Sequence, residues 1–242
     1  MIILYILIFI FGLCVGSFLN VVINRLELEE SIVIGRSHCP KCKIELKWFD
    51  LIPLLSFVFL RGKCRYCNKK ISWQYPLVEL ITGLLFLLFF NSIYHLIVIC
   101  FLIIIFVYDL KHYIIPDQVI YPAIAISFVY AIVNYNNLLY LFLCLSGAVF
   151  FLLIVLVSKG KWMGLGDVKL AVFMGFVLGW FNILLALFLS FVFGSIVGII
   201  LILFKKKKIK SEIPFGPFLC LATVIVMLYG NQILDWYLRI LF

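Results

Sequence analysis

Eight apolar stretches divide the sequence, at residues 2–22, 76–91, 93–110, 118–134, 138–157, 167–181, 183–204 and 214–230. A helix rising 1.5 Å per residue needs about 20 apolar residues to cross roughly 30 Å of hydrocarbon, and most of these stretches meet or approach that length. Those at 76–91 and 167–181 are the shortest. Lipid offers no partners for backbone N–H and C=O groups, so continuous runs of this kind read as helices that satisfy their own backbone. Only 13% of the residues are charged, against about 25% in soluble domains, which excludes a soluble globular fold. The expected fold is therefore all-α: a polytopic membrane protein with about eight transmembrane helices. The first stretch reads as a retained anchor, because no basic residue precedes it and no A-x-A-like site follows it. Residues 231–242 are expected to form a tail along an interface.

The basic residues are clustered. Of 20 Lys and Arg, ten lie in 23–75, one in 109–117, three in 158–169 and five in 205–210, leaving Arg239. The alternate connections near Asn91, Asn134–Asn137 and Asn182 carry none. Loops rich in Lys and Arg stay in the cytoplasm, so eight spans with the N-terminus outside place every basic connection on one side. The run Lys205–Lys208 is read as a topology signal or a contact with anionic lipid, and nucleic acid is not needed to explain it.

The only sizeable polar stretch, about 23–75, holds Cys39-Pro40-Lys41-Cys42 and Cys64-Arg65-Tyr66-Cys67. Two C-x-x-C knuckles at this separation fit one tetrahedral Zn²⁺ with four thiolates and no open position, which is a structural site. The cytoplasm disfavours lasting disulfides, and a loop with so few apolar residues gains stability from a metal. Disulfide or redox chemistry and unligated thiols are the alternatives. Cys14, Cys100, Cys144 and Cys220 fall in apolar stretches and read as packing residues.

Acids at a membrane boundary are expensive to place and so are candidates for function. Glu79, Asp109, Asp117 and Asp167 stand at the ends of apolar stretches. If the helix ends bearing Asp109 and Asp167 pack together, two close carboxyls share one proton. One would then deprotonate water as general base while the other polarises a scissile carbonyl. Gly164 and Gly166 would leave room for an extended substrate backbone, although a glycine loop with Asp167 as a helix N-cap is an equally plain reading. Asp117 after Pro116 reads as a cap. The stripe Gly16, Asn20 and Asn24 reads as helix packing, and Glu79 is open between packing and function. Gly175/Gly179 and Gly194/Gly198 read as sites of close helix approach.

The ordered motifs resemble those of the type IV prepilin peptidases, a GxGD-type intramembrane aspartic protease family. They are Gly16-Ser17-Phe18-Leu19-Asn20, the two cysteine knuckles, Tyr75-Pro76-Leu77-Val78-Glu79, Asp109 to Asp117, Gly164-Leu165-Gly166-Asp167-Val168-Lys169 and Ile213-Pro214-Phe215-Gly216-Pro217-Phe218. The resemblance implies that Asp109 and Asp167 are the catalytic pair, with Gly164, Gly166 and Lys169 in the supporting loop. It implies prepilin and pseudopilin precursors as substrates, cut after the terminal Gly of a short basic leader at the cytoplasmic face of the bacterial inner membrane. It implies N-methylation of the new terminus by S-adenosylmethionine, with pilus or type II secretion assembly proteins as partners. No G-x-G-x-x-G follows a strand, so the residues themselves give no methyl-donor site.

On this reading the chain divides into 1–92, with two membrane helices and the tetracysteine loop; 93–230, the peptidase core; and 231–242, the tail. The rivals are an ion- or proton-coupled transporter, and a membrane-anchored zinc module in pilus assembly without chemistry of its own. A transporter would place its acids at mid-bilayer depth and show internal repeats, and neither is visible here.

Overall fold

The computed structural model describes residues 2–31, 35–135, 137–204 and 213–241. Ten α-helices occur among them: α1 (Ile2–Glu27), α2 (Leu55–Phe59), α3 (Gln74–Phe89), α4 (Ile93–His112), α5 (Asp117–Tyr135), α6 (Leu138–Cys144), α7 (Ser146–Ser158), α8 (Leu165–Leu178), α9 (Asn182–Leu203) and α10 (Gly216–Leu241). The β-structure seen among the described residues is two isolated antiparallel bridges, His38 with Glu45 and Lys63 with Lys70. Large apolar side chains such as Ile2, Leu138, Phe188 and Leu203 remain exposed, as expected of a surface solvated by lipid. The lysine run at 205–208 lies outside the described residues.

The expected eight spans resolve differently in detail. Among the described residues five helices are long and apolar enough to cross a bilayer, namely α1, α4, α5, α9 and α10. The stretch at 138–157 is instead two helices, α6 and α7, bent by 43° and qualifying together as a broken span. The 16 residues of α3 and the 14 of α8 fall short of full span length. The sequence cannot separate a short buried helix from a spanning one, because both are continuously apolar. Past residue 230, α10 runs on without a break to Leu241, so its backbone gives no boundary at the expected tail.

The chain forms two compact units, Met1–Ile104 and Ile105–Phe242. In the first, α1 packs along α3, and glycine sets how closely. A Cβ on Gly12 would stand 2.8 Å from the Gly83 Cα, and one on Gly16 would stand 2.7 Å from the Glu79 Cα. Neither distance is open to any other residue, so the two backbones touch where small residues allow it. Polar groups extend the contact toward the loop. Asn20 Nδ2 donates to the Tyr75 carbonyl at 3.1 Å, and Asn24 Nδ2 donates to the Tyr75 hydroxyl at 2.7 Å. The stripe on α1 is thus a packing seam. Replacing Gly16 with Leu should separate α1 from α3 and destabilise the protein by about 1–3 kcal/mol, read as an earlier midpoint in a denaturing-detergent titration.

In the second unit α8 is the hub. Leu170, Ala171, Phe173 and Met174 are fully buried, and α5, α6, α7, α9 and α10 all pack on this helix. A helix enclosed in this way has no hydrocarbon thickness to match, which accounts for its length. A Cβ on Gly175 would overlap the Cys144 carbonyl oxygen beside the α6–α7 bend, so this glycine fulfils the expected close approach. Gly179, with φ +77°, ends α8 in a conformation that favours glycine. Gly194 and Gly198 do not force helices together. Their nearest neighbours, Phe218 and Ile213, would lie at ordinary contact distances of 3.5 and 3.8 Å from an added Cβ.

Candidate active site and metal centre

Asp109 stands in the last turn of α4, and only 4% of it is exposed. Its carboxyl accepts the backbone N–H of Gly216, the first residue of α10. Asp167 is the third residue of α8, and its carboxyl reaches back to accept the N–H of Gly164, the residue that caps that helix. The reach-back is the acidic half of a capping box. Asp167 is therefore not the N-cap itself. The Asp109 carboxyl thus lies at the start of α10 and the Asp167 carboxyl at the start of α8, where unpaired N–H groups and the helix dipole favour negative charge. The two carboxyls are close enough for the charge on Asp109 to act on Asp167. Cys220, one turn into α10 and 2% exposed, lies within the same electrostatic reach of both.

The glycines around this pair differ in what they do. A Cβ on Gly164 would meet nothing closer than the Gly166 nitrogen at 3.9 Å, so open space borders it. A Cβ on Gly166 would press on the Ile115 Cβ at 3.3 Å. Packing thus gives no reason for Gly164, whereas Gly166 is accounted for by packing between α8 and the segment before α5. Gly216 carries the tightest constraint, since a Cβ there would stand 2.6 Å from Asp109 Oδ2. Sequence reasoning gave Gly216 no role. The available signal was the Pro214-Phe215-Gly216-Pro217 punctuation directly before an apolar run, which marks a helix start. Gly216→Ala should displace the Asp109 carboxyl and lower the prepilin cleavage that the resemblance implies by about 10²-fold, the loss typical of a misplacement near 1 Å. Initial rates on a prepilin substrate, with folding checked by gel filtration in detergent, measure this.

Asp117 opens α5, but the carbonyl of Pro116 takes the capping place, accepting from Val119 and Ile120 at 3.1 Å. Its side chain pairs instead with Lys169 Nζ at 2.6 Å, and that ammonium also lies 4.8 Å from the centre of the Tyr121 ring. Lys169 thereby ties the start of α8, two residues past Asp167, to the first turns of α5. Glu79 is 7% exposed and accepts the Leu54 N–H at 2.8 Å, fastening the cysteine loop to α3.

In the first unit the two knuckles have the same backbone. Cys39 and Cys64 accept at their carbonyls from Lys43 and Asn68 at 2.8 and 2.9 Å, and each of those donors has a positive φ. Their amides donate to Ile44 and Lys69 at 3.0 and 2.9 Å. The Sγ atoms of Cys39, Cys42, Cys64 and Cys67 all fall within 4.8 Å of one another. Tetrahedral Zn²⁺ with bonds near 2.3 Å needs sulfurs about 3.8 Å apart, so the cluster fits a four-thiolate metal. Burial of the Cys39 thiol opposes ionisation, yet backbone N–H groups of Cys42 and Lys41 and the neighbouring thiols hold it down to about 7, favouring the thiolate a metal requires. Asp50, within the polar stretch 23–75, is 3% exposed at its side chain and accepts from Arg65 Nε at 2.7 Å and the Tyr66 hydroxyl at 3.2 Å. It braces the second knuckle.

A helical membrane protein with two aspartates within electrostatic reach of one another and a four-cysteine cluster that could hold a metal is the class that fold and site define. Residues 10–93 match the family model described as the bacterial peptidase A24 N-terminal domain, and residues 96–199 match that of the type IV leader peptidase family. Curated relatives carry the name prepilin leader peptidase/N-methyltransferase, among them three from different bacteria. That of Legionella pneumophila is 31% identical over 97% of this chain and 94% of its own length. That of Bacillus subtilis (strain 168) is 32% identical over 96% and 97%. That of Myxococcus xanthus is 38% identical over 81% of this chain but is longer, the match spanning 62% of it. The chain belongs to the type IV leader peptidase family. No solved structure matches it.

Proposed function

We propose that the protein cleaves the basic leader of prepilins and pseudopilins with Asp109 and Asp167 and then N-methylates the new terminus. The single observation that carries cleavage is that Asp109 lies within electrostatic reach of Asp167, with each carboxyl held by a glycine N–H at a helix start. Two carboxyls in electrostatic contact retain one proton between them. The ionised member takes a proton from water as it attacks the scissile carbonyl. The protonated member hydrogen-bonds the carbonyl oxygen and then protonates the leaving amine. Open space beside Gly164 admits the substrate backbone, and Lys169 positions Asp167 through its pair with Asp117.

The division of labour follows 1–92 for the cysteine loop with its membrane helices and 93–230 for the peptidase, with zinc as the metal on Cys39, Cys42, Cys64 and Cys67. The clustering of basic residues in 23–75 and 158–169 supports a cytoplasmic placement of the loop and both acids in the bacterial inner membrane. Partners are then the prepilins and the pilus or type II secretion machinery that receives them. The test is incubation of purified protein in detergent with a prepilin having a basic, Gly-ending leader, with and without S-adenosylmethionine. Loss of the leader plus the mass of one methyl supports both activities. An intact substrate with folded protein overturns the cleavage reading.

A further inference from the structure

A groove of about 630 Å³ lies in the first unit between α2, the turn that follows it and the start of α3, with no residue of α1 in its lining. Its wall joins two chemistries. Val58, Trp73, Leu77 and Leu80 are exposed apolar side chains, whereas Arg61, Lys63 and Lys70 bring three cations, and no acid among the described residues lines it. The backbone holds the cations together. Lys63 and Lys70 stand opposite one another in the antiparallel bridge, beside which the Ile71 N–H donates to the Gly62 carbonyl at 2.8 Å. Opposed residues of such a pair share a face, where like charges repel. Lys41 Nζ, donating to the Lys70 carbonyl at 2.9 Å, adds a fourth ammonium nearby. None of the ion pairs among the described residues uses Arg61, Lys63 or Lys70. The cluster is therefore a concentration of positive charge whose energy falls when an anion joins it. The apolar half continues along α3. Leu77, Leu80, Leu84 and Leu88 are exposed on one face of this helix, away from the buried Glu79, Gly83 and Phe86 that α1 covers. At 1.5 Å per residue, Leu77 to Leu88 spans about 16 Å, close to half of the roughly 30 Å of hydrocarbon and so to the depth of one leaflet. The Trp73 ring lies 5.1 Å from that of Phe57 at the head of this stripe, the level at which an indole meets the headgroups.

We propose that this groove binds one anionic phospholipid of the surrounding bilayer, its phosphate among Arg61, Lys63 and Lys70 and an acyl chain along the Leu77–Leu88 face of α3. A soluble anion has no use for the apolar half of the wall, and a basic peptide would meet like charge. A phospholipid satisfies both halves at once. Its phosphate relieves the repulsion between Lys63 and Lys70 and so fastens the cysteine loop to the membrane at the head of α3. The site requires only that the chain is embedded in a bilayer and stands apart from the peptidase and methyltransfer chemistry.

The test is native mass spectrometry of the full metal-loaded chain in detergent, titrated with phosphatidylglycerol and, separately, with phosphatidylcholine of the same acyl chains. One phosphatidylglycerol should be retained, with affinity about tenfold or more above that for phosphatidylcholine. Arg61→Gln combined with Lys70→Gln should weaken phosphatidylglycerol binding by about 25-fold, since each basic residue beside an anionic surface contributes about fivefold. Bound metal should be unchanged in that variant, and Arg61→Lys with Lys70→Arg should bind as the wild type does. Phosphatidylglycerol with brominated acyl chains should also quench tryptophan fluorescence by a component that Trp73→Phe removes, a readout that decides the matter even where the double variant loses its metal. Equal retention of the two lipids, unchanged affinity in the double variant with metal retained, or quenching without a Trp73 component overturns the site. Displacement of the lipid by equimolar inorganic phosphate would assign the cations to a soluble anion, and displacement by a prepilin would assign the groove to a protein; either result overturns the lipid.

Discussion

Asp109→Asn and Asp167→Asn should each lower kcat/KM for prepilin cleavage by about 10⁴-fold, the upper range for loss of a positioned acid or base. Asn keeps the shape of Asp and an oxygen able to accept the Gly216 or Gly164 N–H, so the helix starts survive. What is lost is the shared proton: one amide and one carboxyl cannot divide the roles of base and acid. The measurement is single-turnover cleavage by purified variants, with membrane fractionation to verify insertion. A variant that inserts normally and cleaves at the wild-type rate would remove that residue from the chemistry.

The second large effect concerns the metal. Structural Zn²⁺ sites contribute about 10–16 kcal/mol of apparent binding free energy in small zinc domains, which is also folding energy. The segment between α1 and α3 has no extended sheet or long helix of its own among the described residues. It is held by two single bridges, a five-residue helix, a short 3₁₀ turn at Trp48–Leu51 and the Asp50 brace. Replacing Cys39 or Cys64, the two buried thiols, with Ser should take bound zinc from about one per chain to near zero by the four-ligand requirement. Protease cleavage within 35–73 should accelerate, while the helices stay resistant. Elemental analysis and limited proteolysis read the two outcomes. Unchanged zinc in both variants would exclude the four-thiolate site.

Much of this was legible because membranes impose few solutions. The apolar runs anticipate the positions of α1, α4, α5 and α9 to within about five residues, and the start but not the end of α10, since lipid permits only self-satisfied helices. The knuckle spacing identified the four cysteines that cluster, because a tetrahedral metal dictates spacing within each knuckle. Hydropathy failed where length and burial disagree. It could not show that α8 is an enclosed hub, nor that Leu145 bends 138–157 into two helices. The acids were visible as costly residues, yet their pairing came from resemblance, since nothing local to Asp109 points to a partner on α8. Gly216 stayed hidden for a related reason: its role is a backbone N–H given to a residue far away in sequence, and main-chain donors leave no mark on residue type. Asp50 likewise looked like one charge among many in a polar loop until Arg65 and Tyr66 were seen around it.

The clip between Gly216 and Asp109 also sets a clock. The ribosome finishes α4 roughly 100 residues before it reaches the first residue of α10. At about 5–20 residues per second this is an interval on the order of 5–20 s. Through that interval Asp109 lacks the main-chain donor that orients it, even after Asp167 has been made. On the proposed pairing, a half-synthesised chain therefore carries both acids without the donor that orients Asp109, and the pair is complete only once the final helix has arrived.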